Sequence, residues 1–296
     1  VLSAEKAMIV LADNSENYVT DGTSYIFENP EDDEPNAAIY SKSDLTIYGN
    51  GTLTVEGNYN DGITSKDGLI ITSGTININS VDDGIRGKDY LIVKDGSITV
   101  EAAGVGIKSD NEDDTSKGYI TIEKGEINIT AGGEAIEAEK DVEIVLGEIV
   151  LSSGGKGING TIGVFIDDGN FTISSVDDAI HSNGFITIND GSFVISSDDD
   201  AIHADYDLVI NDGDINITNS YEGIESAEGD ITINGGEIHI VSSDDGINSA
   251  ANGNNYIYIN GGYIVIDAEA DCFDSNGSME ISGGTVFVSS SGVRGG

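Results

Sequence analysis

Glycine returns along this chain at nearly fixed intervals: Gly51, Gly74, Gly96, Gly125, Gly147, Gly169, Gly191, Gly213, Gly236, Gly262 and Gly284, with most steps 22 or 23 residues. A period of that length marks a solenoid, in which no single copy buries its apolar face until neighbours stack on it. Within the copy from Gly184 to Asp205, three short alternating segments lie between turn residues: Ile186–Ile188, Phe193–Ile195 and a segment centred on Ile202. Asn-Asp-Gly and Ser-Asp-Asp runs bend the chain between them. Three strands in about 22 residues predict an all-β parallel β-helix of about eleven coils. At the ordinary strand spacing its length is about 50 Å. The preference for right-handed crossovers predicts a right-handed winding. Leucine-rich repeats, propeller blades and nine-residue calcium rolls have different periods and signatures.

Residues 1–43 read as an irregular N-terminal cap with a first coil, holding the acidic stretch around Pro30 and Pro35. Residues 44–296 read as the β-helix, in one domain overall. Two coils are longer, with steps of 29 residues from Gly96 to Gly125 and 26 from Gly236 to Gly262. Such extra residues become loops on one face, often a binding face. The first insertion, Ser109 to Ser116, is crowded with oxygen-bearing side chains.

The chain carries 54 acids against 12 Lys and Arg, for a formal charge of -42. Such a surface repels phosphate backbones and anionic membranes, so nucleic acid is excluded as a partner. No apolar run is long enough to span a membrane. The first 156 residues hold 30 acids and 11 bases; the remaining 140 hold 24 acids and one base, Arg294. Any basic site therefore belongs to the first half. A lone Cys272 excludes an internal disulfide framework. No signal peptide is visible, and a start at Val1 is what a trimmed mature chain shows.

The third strand of each copy is introduced by acids: Asp82-Asp83, Asp177-Asp178, Asp199-Asp200 and Asp244-Asp245, with single acids at Asp61, Glu134, Glu222 and Asp271. One period apart, Asp178, Asp200 and Glu222 stand above one another, as do Asp61 and Asp83. Carboxylates about 5 Å apart repel by about 0.8 kcal/mol in water, and by several times more when partly desolvated. A hard divalent cation relieves this, and Ca²⁺ suits an oxygen-only, irregular ligand set. The candidate ligands are Asp61, Asp82, Asp83, Asp177, Asp178, Asp199, Asp200, Glu222, Asp244, Asp245 and Asp271. The plainer alternative is a solvated edge of turn aspartates. Zinc is not expected from one cysteine and three scattered histidines. His181 and His203, one period apart, are expected to stack outward beside the acids, as extra ligands, sugar-contacting donors or simply exposed edge residues.

Lys42, Lys66, Lys88, Lys117 and Lys140 precede the first strand of successive coils, and Arg86 and Lys108 occupy matching places. Lys66, Arg86, Lys88 and Lys108 cluster beside Asp61, Asp82 and Asp83, a combination suited to a polymer bearing carboxylates. Tyr59 and Tyr90 are positioned to stack on sugar rings. The absence of tryptophan argues against a flat platform for crystalline cellulose.

The stretches Ala38–Gly51, Asp61–Leu69 and Asp82–Leu91, with the later Asp-Asp-Gly/Ala-Ile copies, resemble bacterial cell-surface carbohydrate-binding proteins with a right-handed β-helix, similar to clostridial cellulose- and pectic-acid-binding members. The resemblance extends from about Ala37 to the end. It implies an extracellular, calcium-binding, non-catalytic protein that attaches to cellulose and to acidic pectic polymers such as polygalacturonate, expected as a monomer. The architecture is also similar to that of calcium-dependent pectate lyases, which implies an alternative: β-elimination on polyuronate with Lys66, Lys88 or Lys108 as base. A structural adhesin or spacer is a further alternative.

Overall fold

The computed structural model describes residues 4–27, 34–251, 253 and 255–292; Pro30 and Arg294 lie outside them. Among the described residues every regular element is a strand, and every strand pairing is parallel, each strand bonding to its counterpart one coil away. The strands sort into three sheets of 12, 12 and 11 strands, giving a β-solenoid. In the copy analysed above, the strands are Phe185–Ile188 in the first sheet, Ser192–Ser197 in the second and Ile202–Ala204 in the third. Strand formation begins early: Lys6–Leu11, Glu16–Thr20 and Ala37–Ser41 pair in register with the next coil. Of the described residues before Ser43, 21–27 and 34–36 belong to no strand.

Alternation places one set of side chains inside, and parallel register turns that set into columns. The third sheet supplies isoleucine at every level from Ile39 to Ile247 before ending on Phe273. Phe171 and Phe193 stack inside the second sheet with ring centroids 4.5 Å apart. Where the chain leaves the third sheet the inward residues are small, as in Ser182, Ala204, Ser226 and Ser249, because the corner has no room for more. An outer corner is fixed by amide side chains: Asn211 donates to Asn189, Asn234 to Asn211 and Asn260 to Asn234, at 2.7 to 2.9 Å.

The periodic glycines sit at the turn between the first and second sheets. Gly213 has φ +122°, and a Cβ there would lie 3.0 Å from the Gly191 carbonyl oxygen one coil below. Both the left-handed backbone and the close approach of the coils demand glycine. Gly147 differs, with no left-handed φ and a nearest obstacle of 3.2 Å at the Ile149 side chain. Gly213→Ala is therefore expected to destabilise by about 1–3 kcal/mol and to lower the melting temperature more than Gly147→Ala. Equal losses in thermal denaturation would contradict this. Ile202→Ala, which empties a fully buried place in the isoleucine column, is expected to cost about 2–5 kcal/mol.

Candidate functional site: the edge of the third sheet

A three-residue strand with its ends turned inward presents one outward side chain per coil. In the third sheet these form a single file: Thr64, Arg86, Lys108, Glu137, Asn159, His181, His203, Glu225, Asn248 and Asp274. Beside it, at the bend entering each strand, runs a second file that includes Asp61, Asp83, Glu134, Lys156, Asp178, Asp200, Glu222, Asp245 and Asp271, tied by the backbone bonds of the following residues. The predicted stacking of Asp178, Asp200 and Glu222, and of Asp61 and Asp83, is therefore present. Steps of about 4.8 Å bring both files within mutual reach.

The inner acids have a structural task that their spacing did not reveal. Asp83 Oδ1 accepts the backbone N–H of Val105 at 2.9 Å, Asp178 that of Asp200 at 3.2 Å, Asp200 that of Glu222 at 3.0 Å and Asp245 that of Asp271 at 2.8 Å. Each carboxylate thus satisfies a donor one coil further on and keeps its second oxygen for other partners.

Those partners differ along the rod. Lys156 stands within the acid file, its Nζ 2.9 Å from Asp178 Oδ2 and 3.0 Å from Asp177 Oδ1. Burial lowers the Lys156 pKa, but the Asp178 and Asp177 contacts outweigh it and raise the group above its ordinary value. Burial likewise raises Asp177, yet Lys156 outweighs it and leaves this carboxyl below the usual range; Asp178, more deeply buried, stays raised. One coil up, Asp200 Oδ2 lies 2.9 Å from His203 Nδ1. Next to it Glu222 accepts from Asn248 Nδ2 at 2.9 and 2.8 Å. Burial, helped by the Asp200 charge, raises Glu222 against the Asn248 hydrogen bond; burial, then the Asp200 hydrogen bond and the neighbouring carboxylate charges, raises Glu225. Asn248 is buried, and its Oδ1 has no partner among the described residues.

Two compact oxygen sets follow. Asp177, Asp178 and Asp199 each offer one ligand atom within 4.8 Å of the others, as do Asp200, Glu222 and Glu225. Among the described residues no such group of three includes Asp61, Asp82 or Asp83, nor Asp244, Asp245 or Asp271. Asp61 instead accepts from the Thr64 hydroxyl at 2.7 Å and Asn60 Nδ2 at 2.9 Å, and burial raises its pKa to about 6. The carboxylates of Asp82 and Asp83 both crowd the place where a Cβ on Gly104 would stand.

His181 and His203 do stack, but they are not the exposed edge residues expected. His181 is 7% exposed, and burial, reinforced by Lys156 and His203, lowers its pKa to about 3. His203 is half-buried; burial lowers its pKa, but the Asp200 hydrogen bond and the surrounding carboxylates raise it overall. Nor are the three histidines scattered, since two share adjacent strands.

Among the cations proposed for substrate, Arg86 forms a two-pronged pair with Asp110, Nε to Oδ1 at 3.1 Å and Nη2 to Oδ2 at 2.5 Å. Lys108 meets Glu137 at 3.0 Å, and Lys66 pairs with Glu34. Lys88 has no carboxylate partner among the described residues. The first insertion supplies Asp110 to Arg86, and Asn111 closes its loop by bonding Asp89 at 2.6 Å. Tyr59 stacks on Tyr25 with centroids 4.2 Å apart, and Tyr90 on Tyr119 at 5.8 Å, above the space left by Gly68. Glu137, Lys156, Glu225 and Asn248 were absent from the sequence-predicted set; their signal was position immediately after the inward isoleucine or immediately before the Gly or Ala that precedes it.

Fold and edge together define a β-solenoid with a charged, one-residue-wide face. The chain belongs to the family described as "Carbohydrate-binding domain-containing protein", whose pattern matches residues 1–201, 147–253 and 197–295. It is similar to a carbohydrate-binding domain-containing protein of Acetivibrio thermocellus, with 50% identity over 80 residues, 27% of this chain and 28% of that protein. It is also similar to the solved polysaccharide lyase-like protein from C. thermocellum, a gadolinium derivative, with TM-score 0.52 and 41% identity over 53% of this chain and 63% of that one. The chain thus spans less than two thirds of either relative.

The titrations have a sign. Glu222, Glu225 and His203 have raised folded pKa values, so the folded state holds protons that the unfolded chain releases. Stability from such groups is complete below their unfolded pKa values and is lost as pH climbs through the folded ones. His181, depressed to about 3, acts oppositely, losing stability only as pH falls below its ordinary 6.5. In metal-free protein the stability, and with it the melting temperature, is therefore expected to fall as pH rises from about 7 to about 9, by about 1.4 kcal/mol per pH unit for the Glu225 proton, the Glu222 share being lost already below about pH 7. Glu225→Gln should flatten the slope; a level profile in the parent would contradict the assignment.

Proposed function

We propose that this protein is a non-catalytic, calcium-binding module that attaches to plant cell-wall polysaccharides, cellulose and above all acidic pectic chains such as polygalacturonate, acting outside the cell as a monomer. The observation that carries this reading is the outward file of the third sheet. Thr64, Arg86 and Lys108 occupy consecutive levels beside Asp61 and Asp83, with Lys66 and Lys88 at the strand exits. An extended polymer with a carboxylate on each sugar meets two cations one coil apart, Arg86 and Lys108, and competes there with Asp110 and Glu137 for them. Tyr90 and Tyr119 supply flat apolar surface on the neighbouring sheet. Membership of the carbohydrate-binding family supports the same reading.

Calcium fits the residues present. Asp200, Glu222 and Glu225 bring two buried carboxylates and one half-buried one together; among the described residues no lysine or arginine pairs with them, and Asn248 Oδ1 beside them has no partner. A Ca²⁺ ion, which takes six to eight oxygens, would hold these ionised and join adjacent coils. Asp177, Asp178 and Asp199 are the second candidate set, in competition with Lys156.

The lyase reading draws on similarity to the polysaccharide lyase-like protein. Elimination needs a neutral lysine near the uronate. Burial lowers the Lys108 pKa, but Glu137, Asp83 and Asp110 outweigh it and hold the group raised and charged. Lys66 is likewise paired with Glu34. This leaves Lys88 as the base for that reading.

Affinity electrophoresis in polygalacturonate gels tests the binding. Retardation is expected with calcium, and Arg86→Gln with Lys108→Gln should weaken it by about tenfold, the scale of 1.4 kcal/mol. Unretarded parent protein would overturn the reading. Accumulation of ultraviolet-absorbing unsaturated uronides that Lys88→Ala abolishes would instead make the protein a lyase.

A further inference from the structure

His181 and His203 face each other across adjacent coils, with ring centroids 5.2 Å apart and planes at 65°. The rings meet edge to face rather than lying flat on each other. One nitrogen of each ring is already committed. His181 Nδ1 lies 3.2 Å from Asn159 Oδ1, and His203 Nδ1 lies 2.9 Å from Asp200 Oδ2 and 3.4 Å from Glu225 Oε2. An Nδ1–H donated to a side-chain oxygen fixes the tautomer and leaves Nε2 with its lone pair, the arrangement in which a second partner orients a metal-binding imidazole.

The third component comes from the bend after the strand. Asp205 Oδ1 lies 3.7 Å from His203 Nε2. One ligand atom from each of His181, His203 and Asp205 lies within 4.8 Å of the others. Nitrogen and oxygen ligands bound at about 2.0–2.1 Å around a tetrahedral ion are roughly 3.3 Å apart, so modest side-chain rotation closes the set. Asp178 Oδ2, 3.8 Å from His181 Nε2, is engaged by Lys156 and stays outside it.

We propose that His181, His203 and Asp205 form a site for a divalent first-row transition metal of the zinc, cobalt and nickel class, separate from the all-oxygen sets that suit calcium. Two imidazoles exclude calcium by donor type, since it takes oxygen ligands. Two histidines and one carboxylate suit borderline metals and leave a coordination position open to water or to a sugar hydroxyl. The ion joins the coil of His181 to the coil of His203 and Asp205. The site goes beyond the polysaccharide reading and does not depend on it.

Cobalt(II) titration of the metal-free protein in a large excess of calcium tests the site. A visible ligand-field absorption that saturates at one equivalent is expected. Asp205→Asn and His203→Gln should each weaken cobalt affinity at least tenfold, whereas His239→Gln, on the outward face of the second sheet, should leave it unchanged. Asp205 is half-buried at a bend, so its substitution keeps the test valid if His203→Gln disturbs the fold. Absence of the absorption, displacement of cobalt by calcium, or indifference to both substitutions would overturn the proposal.

Discussion

The parallel backbone ladder that joins each coil to the next, without a slip over nearly the whole rod, is the constraint on which everything else rests. Because register repeats every 22 residues or so, any residue type placed once per period becomes a column. Isoleucine becomes an apolar spine, serine and alanine a tight corner, asparagine a hydrogen-bonded rail, and aspartate a line of charge. Stability and chemistry therefore share one geometric origin: stacking that removes aliphatic surface from water also brings distant carboxylates together.

The charged columns are made tolerable in several ways along one edge. Backbone N–H groups of the following coil take one oxygen of Asp83, Asp178, Asp200 and Asp245. Lys156 pairs with both Asp177 and Asp178; His203 faces Asp200; burial beside Asp200 and Glu222 raises the Glu225 pKa. Acids run along the whole edge, whereas Arg86 and Lys108 lie towards the N-terminal end and both histidines beyond Asn159.

The fold was legible because its signals are local and repeated: turn glycines, alternating isoleucines and a constant period. The stacking of Asp178 on Asp200 followed from the same arithmetic. Partner identity was not legible. Lys156 takes the place of an acid in its column, and nothing in Gly155-Lys156-Gly157 announces that it will lie against Asp178. The burial of His181 depends on Asn159 and His203 in neighbouring coils, a relation invisible to strand alternation, which marks the position as outward. Asp110 reaches Arg86 only because the long insertion begins where it does, and what resembled an open set of ligands in that insertion is largely closed on itself through Asn111.

The central claim is that in-register carboxylates of successive coils share a cation. Anomalous diffraction from a crystal grown in calcium tests it most directly. The account predicts a peak between Asp200, Glu222 and Glu225, with oxygen ligands at about 2.3–2.6 Å. An intact stack of coils with only water between those three side chains would contradict it.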